Sequence, residues 1–168
     1  PQWVELVEID PSSGAAIGIE LGKNRMRGVI GDLSHEILSE IEVPLVSNYS
    51  FDLALKTAQE MVSHLLSVTR ITPSRIIGIG VGVAAVIYLP LEMEKQESEI
   101  EDILDQRFVN ALSEITGFST TLENSSNLAA YAELLWGNGF GLRDFLYFKA
   151  DHFIGGALVV SQEVITGS

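Results

Sequence analysis

Leu122-Glu123-Asn124-Ser125-Ser126-Asn127-Leu128-Ala129-Ala130-Tyr131-Ala132-Glu133 is the stretch that decides how this chain folds. A β-prone run, Phe118 to Leu122, leads into it, and an Ala- and Leu-rich helical run, Leu128 to Trp136, leaves it and is closed by Gly137. Asn124 to Asn127 are all short and polar. Any of the last three, Ser125, Ser126 or Asn127, can cap the helix by accepting a bond from its unpaired N–H groups. A polar strand-to-helix corner is where open α/β sheets bind ligands, because free backbone donors and short side chains converge there. Taken alone, the same residues also fit a plain N-cap ahead of a core helix, so the corner's meaning depends on the rest of the chain.

Working outward, the N-terminal third is strand-rich. Trp3 to Ile9 alternates apolar and acidic residues, as a half-buried edge strand does. Pro11 to Gly14 is a turn, Ala15 to Leu21 a second strand, and Gly22-Lys23-Asn24 a hairpin loop. Arg25 to Leu33 and Glu36 to Val46 continue the antiparallel meander around a turn at Ser34-His35. Ser50 then caps a helix whose Leu55, Ala58, Val62, Leu65 and Leu66 recur at helical spacing, and Thr72-Pro73 stops it.

Arg75 to Tyr88 is expected to be a fully buried central strand, with Gly78, Gly80 and Gly82 on one face. A glycine-lined face admits a ligand or another backbone at close range. The G-x-G-x-G spacing is followed by more strand and then Pro90, which excludes a dinucleotide-binding turn. Glu92 to Asp102 is an acidic, solvated loop, and Ser98 with Glu101 forms a capping box. The helix after it buries Ile100, Ile103, Leu104, Phe108, Leu112 and Ile115, and Gly117 ends it. Beyond the corner helix, Asp144 to Ala150, Ile154 to Ser161 and Glu163 to Thr166 are three more strands.

Composition narrows the function. A 46% hydrophobic content with five Pro and no low-complexity tract marks a globular chain of 168 residues. The formal charge of −13 repels phosphodiester backbones, so this segment is not itself expected to read nucleic acid. There is no Cys, which excludes disulfides and Cys-based zinc sites here and fits a cytoplasmic origin. His35, His64 and His152 stand at no metal-ligand spacing, and the longest apolar run, Ile76 to Leu89, is too short to span a bilayer. A chain that begins at Pro1 without a leader is expected to be a piece of a longer protein.

The order strand-strand-strand-helix-strand-helix-strand-helix is that of a ribonuclease-H-like α/β lobe with a mixed sheet, as in the actin and sugar-kinase superfamily. The expected division is a first lobe over 1–122 and the start of a second over 123–168.

Four motifs, in order, resemble the ROK family (repressor, open reading frame, kinase). Gly18-Ile19-Glu20-Leu21-Gly22-Lys23-Asn24 resembles its phosphate hairpin G-I-D-L-G-G-T, and Gly78-Ile79-Gly80-Val81-Gly82-Val83 its G-I-G-V-P-G strand. Leu122 to Glu133 resembles V-E-N-D-A-N-A-A-A-L-A-E, and Asp151 to Leu158 resembles the second hairpin, G-T-G-I-G-G-G-L. In the family's kinases the Asp of E-N-D takes the proton from the sugar hydroxyl. Here that position is Ser125, which has no basic side chain at neutral pH. The first hairpin carries Glu20, Lys23 and Asn24 in place of Asp, Gly and Thr. The second carries Asp151-His152-Phe153 in place of G-T-G, and P-G becomes Ala84-Ala85.

The resemblance therefore implies a chain that is not an enzyme and needs no cofactor or metal: a sensor of a sugar or related metabolite. ROK regulators, unlike the kinases, place a segment like Val4 to Pro11 ahead of the first hairpin. DNA would be reached only through a winged helix preceding Pro1, and the family's zinc segment would follow Ser168. A homo-oligomer is expected. Asn124, Ser125 and Gly82 are the expected ligand-binding residues. A divergent sugar kinase and a dimerisation lobe without ligand are the competing readings.

Overall fold

The computed structural model describes residues 8–46, 49–83, 106–150 and 154–166. Its strands and helices are β1 (Ala15–Leu21), β2 (Arg25–Asp32), β3 (Ile37–Pro44), α1 (Phe51–Thr69), β4 (Ile76–Val83), α2 (Gln106–Thr116), β5 (Thr120–Asn124), α3 (Ser125–Trp136), β6 (Phe145–Ala150), β7 (Ile154–Val160) and β8 (Glu163–Ile165). The first sheet has the order β3-β2-β1-β4-β5. It is antiparallel across β3-β2-β1 and parallel across β1-β4-β5, as the meander followed by helical crossovers requires. A second sheet, β6-β7-β8, is antiparallel. This is the expected mixed α/β fold. The expected division after Leu122 falls inside β5, whose pairing with β4 continues to Asn124.

Alternation decides which face of the first sheet is buried. Ile17, Ile19 and Leu21 of β1 join Met26, Ile30, Ile79, Val81 and Val83 on the face covered by α1 and α2. Ala54, Ala58, Met61, Val62 and Leu65 of α1, with Phe108 and Leu112 of α2, close that core. Ser50 caps α1 as its sequence suggests, accepting from the Leu53 N–H at 3.2 Å. Across the exposed edge strand β3, Arg27 pairs with Glu40 at 2.6 Å and Arg25 with Glu42 at 3.7 Å.

A second, smaller core joins Ala130 and Leu134 of α3 to Ala157, Val159 and Val164 of the second sheet, with Phe145 and Tyr147 packed against it. The other face of that sheet carries Leu146, Phe148, Ile154, Leu158, Val160 and Ile165, all exposed.

Several expectations needed correction. The helix α1 ends at Thr69, ahead of Thr72-Pro73, because Arg70 turns left-handed (φ 57°) with its N–H on the Leu66 carbonyl. The residue before a proline resists the helical region, and Thr72 is extended, so the chain leaves the helix upstream of it. The strand β4 is not buried throughout. A register shift opposite Ala15/Ala16 makes Ile77 an extra residue, so Ile76 turns toward the core and Ile77 is 62% exposed. Ile115 is 45% exposed, since the last turn of α2 opens onto a groove shared with Gln59, Ser63 and Pro73. Of the expected edge strand Trp3 to Ile9, only Glu8 and Ile9 are described, and they lie in neither strand nor helix. The capping box at Ser98, the acidic run, Ala84-Ala85 and Asp151-His152-Phe153 fall outside the described residues.

Candidate functional site

Because β1, β4 and β5 are parallel, their C-terminal ends meet along one edge of the first sheet. Register then sets a row on the face away from the large core. Glu42, Arg27, Glu20, Gly82 and Glu123 stand side by side across β3, β2, β1, β4 and β5. The polar corner between β5 and α3 sits at the end of that row.

The corner differs from its sequence reading in one respect that matters. The strand runs two residues further than expected, to Asn124, and the helix begins at once with Ser125. The cap is therefore Asn124, not Ser125, Ser126 or Asn127. Its Oδ1 accepts from the Ser126 N–H at 2.8 Å, with extended backbone at φ −65° and ψ 132°. Glu123 folds back beside it: Oε1 accepts from the Asn124 N–H at 2.7 Å and from Asn127 Nδ2 at 2.9 Å. Both interactions stabilise the helix start, where carbonyl partners are lacking and the dipole favours negative charge. Ser125 occupies the first helical position and is half-buried, while Ser126 is 5% exposed.

Two glycines let α3 sit this close. A Cβ on Gly82 would come 2.9 Å from Leu128 Cδ1, so part of the glycine face expected to admit a ligand is occupied by the helix itself. Above Gly80, by contrast, no atom of the described residues comes within 4 Å of where a Cβ would sit. On the other side, a Cβ on Gly155 would collide with the Ser126 hydroxyl, so β7 and the first turn of α3 touch through a glycine. The three expected site residues are thus brought together: Asn124 pairs in register with Val83, next to Gly82, and Ser125 follows directly.

The first hairpin is held from beneath. Gly22 N–H donates to the Arg25 carbonyl at 2.9 Å, closing the loop, and the Tyr49 hydroxyl donates to the Gly22 carbonyl at 3.0 Å. Burial pushes the Tyr49 phenol above its usual 10.0. Sequence reasoning passed over Tyr49, whose only local signal is its place just before the α1 cap. It also passed over Lys149, whose ammonium lies 3.6 Å from Glu20 Oε1. Among the described residues no group of three or more His, Asp or Glu is placed to hold a metal ion.

A sequence profile of the ROK family matches residues 16–168. The chain belongs to the ROK family. Curated proteins yield no match. Solved structures do. The ROK hexokinase from Thermus thermophilus is 25% identical with a TM-score of 0.71, over 91% of this chain and 49% of that one. The inorganic polyphosphate/ATP-glucomannokinase from Arthrobacter sp. strain KM is 19% identical with a TM-score of 0.75, over 92% of this chain and 62% of that one. A ROK family transcriptional regulator, a homolog of the E. coli MLC protein, is 15% identical with a TM-score of 0.71, over 92% of this chain and 39% of that one. This ROK chain therefore spans between about two fifths and three fifths of these relatives, and the family it joins includes both sugar kinases and a regulator. The ribonuclease-H-like expectation agrees with those sugar-kinase neighbours. Among the described residues no helix is long and apolar enough to cross a membrane.

Proposed function

We propose that this chain is part of the non-catalytic effector domain of a ROK-type transcriptional regulator, sensing a neutral sugar or related polyol. One observation carries the reading: Ser125, at the first position of α3, stands where the family resemblance places the proton acceptor. A serine hydroxyl cannot take a proton from a sugar hydroxyl at neutral pH. The nearest carboxylate in sequence, Glu123, spends Oε1 on the Asn124 N–H and the Asn127 amide. What the corner offers is short polar side chains, the Ser125 hydroxyl and the Asn124 amide, beside the Glu123 carboxylate at a strand end, a mixture of donors and acceptors suited to hydroxyl groups. Regulation of DNA would pass through a winged helix outside this segment, with closure around the ligand shifting a population.

A divergent sugar kinase is the second reading, favoured by the 25% identity to the ROK hexokinase against 15% to the regulator. The full-length protein, ATP, magnesium and a panel of hexoses separate the two in a coupled assay for ADP and sugar phosphate. We expect no product above background, in the wild type or in Ser125→Asp, because the first hairpin also departs from the family at Glu20, Lys23 and Asn24. Measurable sugar phosphate from the wild type establishes the kinase instead.

A further inference from the structure

We propose that Lys149 is an ionic latch that fixes the second sheet against the first hairpin through Glu20. Lys149 lies on the inner face of β6, since it alternates with Phe145 and Tyr147, the two residues packed into the small core. A lysine at the end of an otherwise apolar row needs a partner or water for its ammonium. Glu20 supplies one, at 3.6 Å.

Glu20 has no other cation so well placed among the described residues. Its cross-strand neighbour on β2 is Arg27, but the Arg27 guanidinium is committed to Glu40 at 2.6 Å. Its neighbour on β4 is Gly82, which has no side chain to cover it, and the next residue along the row is the acid Glu123. Lys149 is thus the cation that joins an acid of one sheet to the inner face of the other.

The surroundings set its reach. Lys149 pairs in register with Gly155, where β7 meets the Ser126 hydroxyl. The latch and the seat of α3 therefore share one end of the second sheet. The two side chains are 36% and 38% exposed, so the pair is modest and open to salt. That suits a contact meant to yield rather than a permanent rivet. The proposal goes beyond the sensing role and does not depend on which ligand, if any, binds.

The test is a charge cycle in the full-length protein: Glu20→Gln, Lys149→Met, the double variant, and the swap Glu20→Lys with Lys149→Glu. Unfolding midpoints are measured in low and high salt, with hydrogen exchange read across β6. Each single variant is expected to lower the folding equilibrium constant by roughly 1.4- to fivefold, the range for an exposed pair. The double variant should lose no more than a single one, and the swap should recover most of the loss. Exchange at Phe145–Ala150 should quicken in the single variants at low salt and match wild type at high salt. Additive single effects, no recovery in the swap, or unchanged β6 exchange would each overturn the latch. If the swap does not fold, the exchange data for the two single variants decide the question by themselves.

Discussion

Replacing Asn124 by Ala should destabilise the domain by about 1 kcal/mol, the usual effect of deleting an Asn helix cap. The cap itself is Asn124 Oδ1, which accepts from the Ser126 N–H at 2.8 Å. The loss should not stay local, because α3 carries Ala130 and Leu134 into the small core and so ties the corner to the second sheet. For a domain of this size, 1 kcal/mol lowers the unfolding temperature by roughly 2–4 °C. Asn124→Asp and Asn124→Ser retain a capping oxygen and should remain within about 0.5 kcal/mol of wild type, since all three residues cap well. Urea unfolding followed by far-ultraviolet circular dichroism reads the difference, and an unchanged denaturant slope would show that only stability moved. An Ala variant indistinguishable from wild type, or Asp and Ser variants as weak as Ala, would refute the capping assignment. The result also governs how ligand binding is tested. An Ala variant mixes loss of the cap with loss of the amide, whereas Asn124→Asp keeps a capping oxygen while replacing the amide donors by a negative charge beside Glu123.

Other outcomes can be checked directly. Gly155→Ala should destabilise by about 1–3 kcal/mol through overpacking against the Ser126 hydroxyl, and a Ser126→Ala background should relieve most of it in the same urea assay. The Asp32 carboxyl should titrate by NMR below the ordinary 3.8, chiefly because the Ser34 hydroxyl donates to it, and Ser34→Ala should bring it back up. With a depressed folded value, its contribution to the turn is complete above 3.8 and fades as pH falls through the lower value. The 168-residue chain should not be retained on duplex DNA at moderate salt, given its charge of −13; retention that weakens with salt would contradict this. The chain is expected to self-associate through the exposed apolar face of the second sheet, and Phe148→Glu should weaken that association in sedimentation velocity; a wild-type chain that stays monomeric at high concentration would contradict this.

Much of the fold is written in local pattern. The bounds of β1, the three-residue hairpin loop and the Ser50 cap follow from alternation and from a single cap-competent residue ahead of a helical run. The corner was harder for the opposite reason. Asn124 to Asn127 are four cap-competent residues in succession, and what selects Asn124 is how far β5 continues to pair with β4. That information lies in another strand. The exposure of Ile77 depends likewise on a register shift against β1, which no periodicity within β4 can announce. Lys149 and Glu20 are far apart in sequence, and only the placement of the second sheet makes them neighbours. The site was legible as a place, through the family resemblance of Leu122 to Glu133, while the division of labour among its residues was set by tertiary contacts.

The passage from β5 to α3 has no connecting residue: Asn124 is the last of the strand and Ser125 the first of the helix. Such a joint has no slack. A loop would absorb a rotation of α3 in its own dihedrals, but here the torsions at the joint belong to residues already committed to strand pairing, to the cap or to the first helical turn. The second sheet is packed on α3, so turning it must either twist β5 within its parallel partners or break the cap. The corner is thus a stiff lever with its fulcrum at the candidate ligand site. A guest that alters the Asn124 hydrogen bonds would act on the one residue shared by the first sheet's last strand and the helix that carries the second sheet.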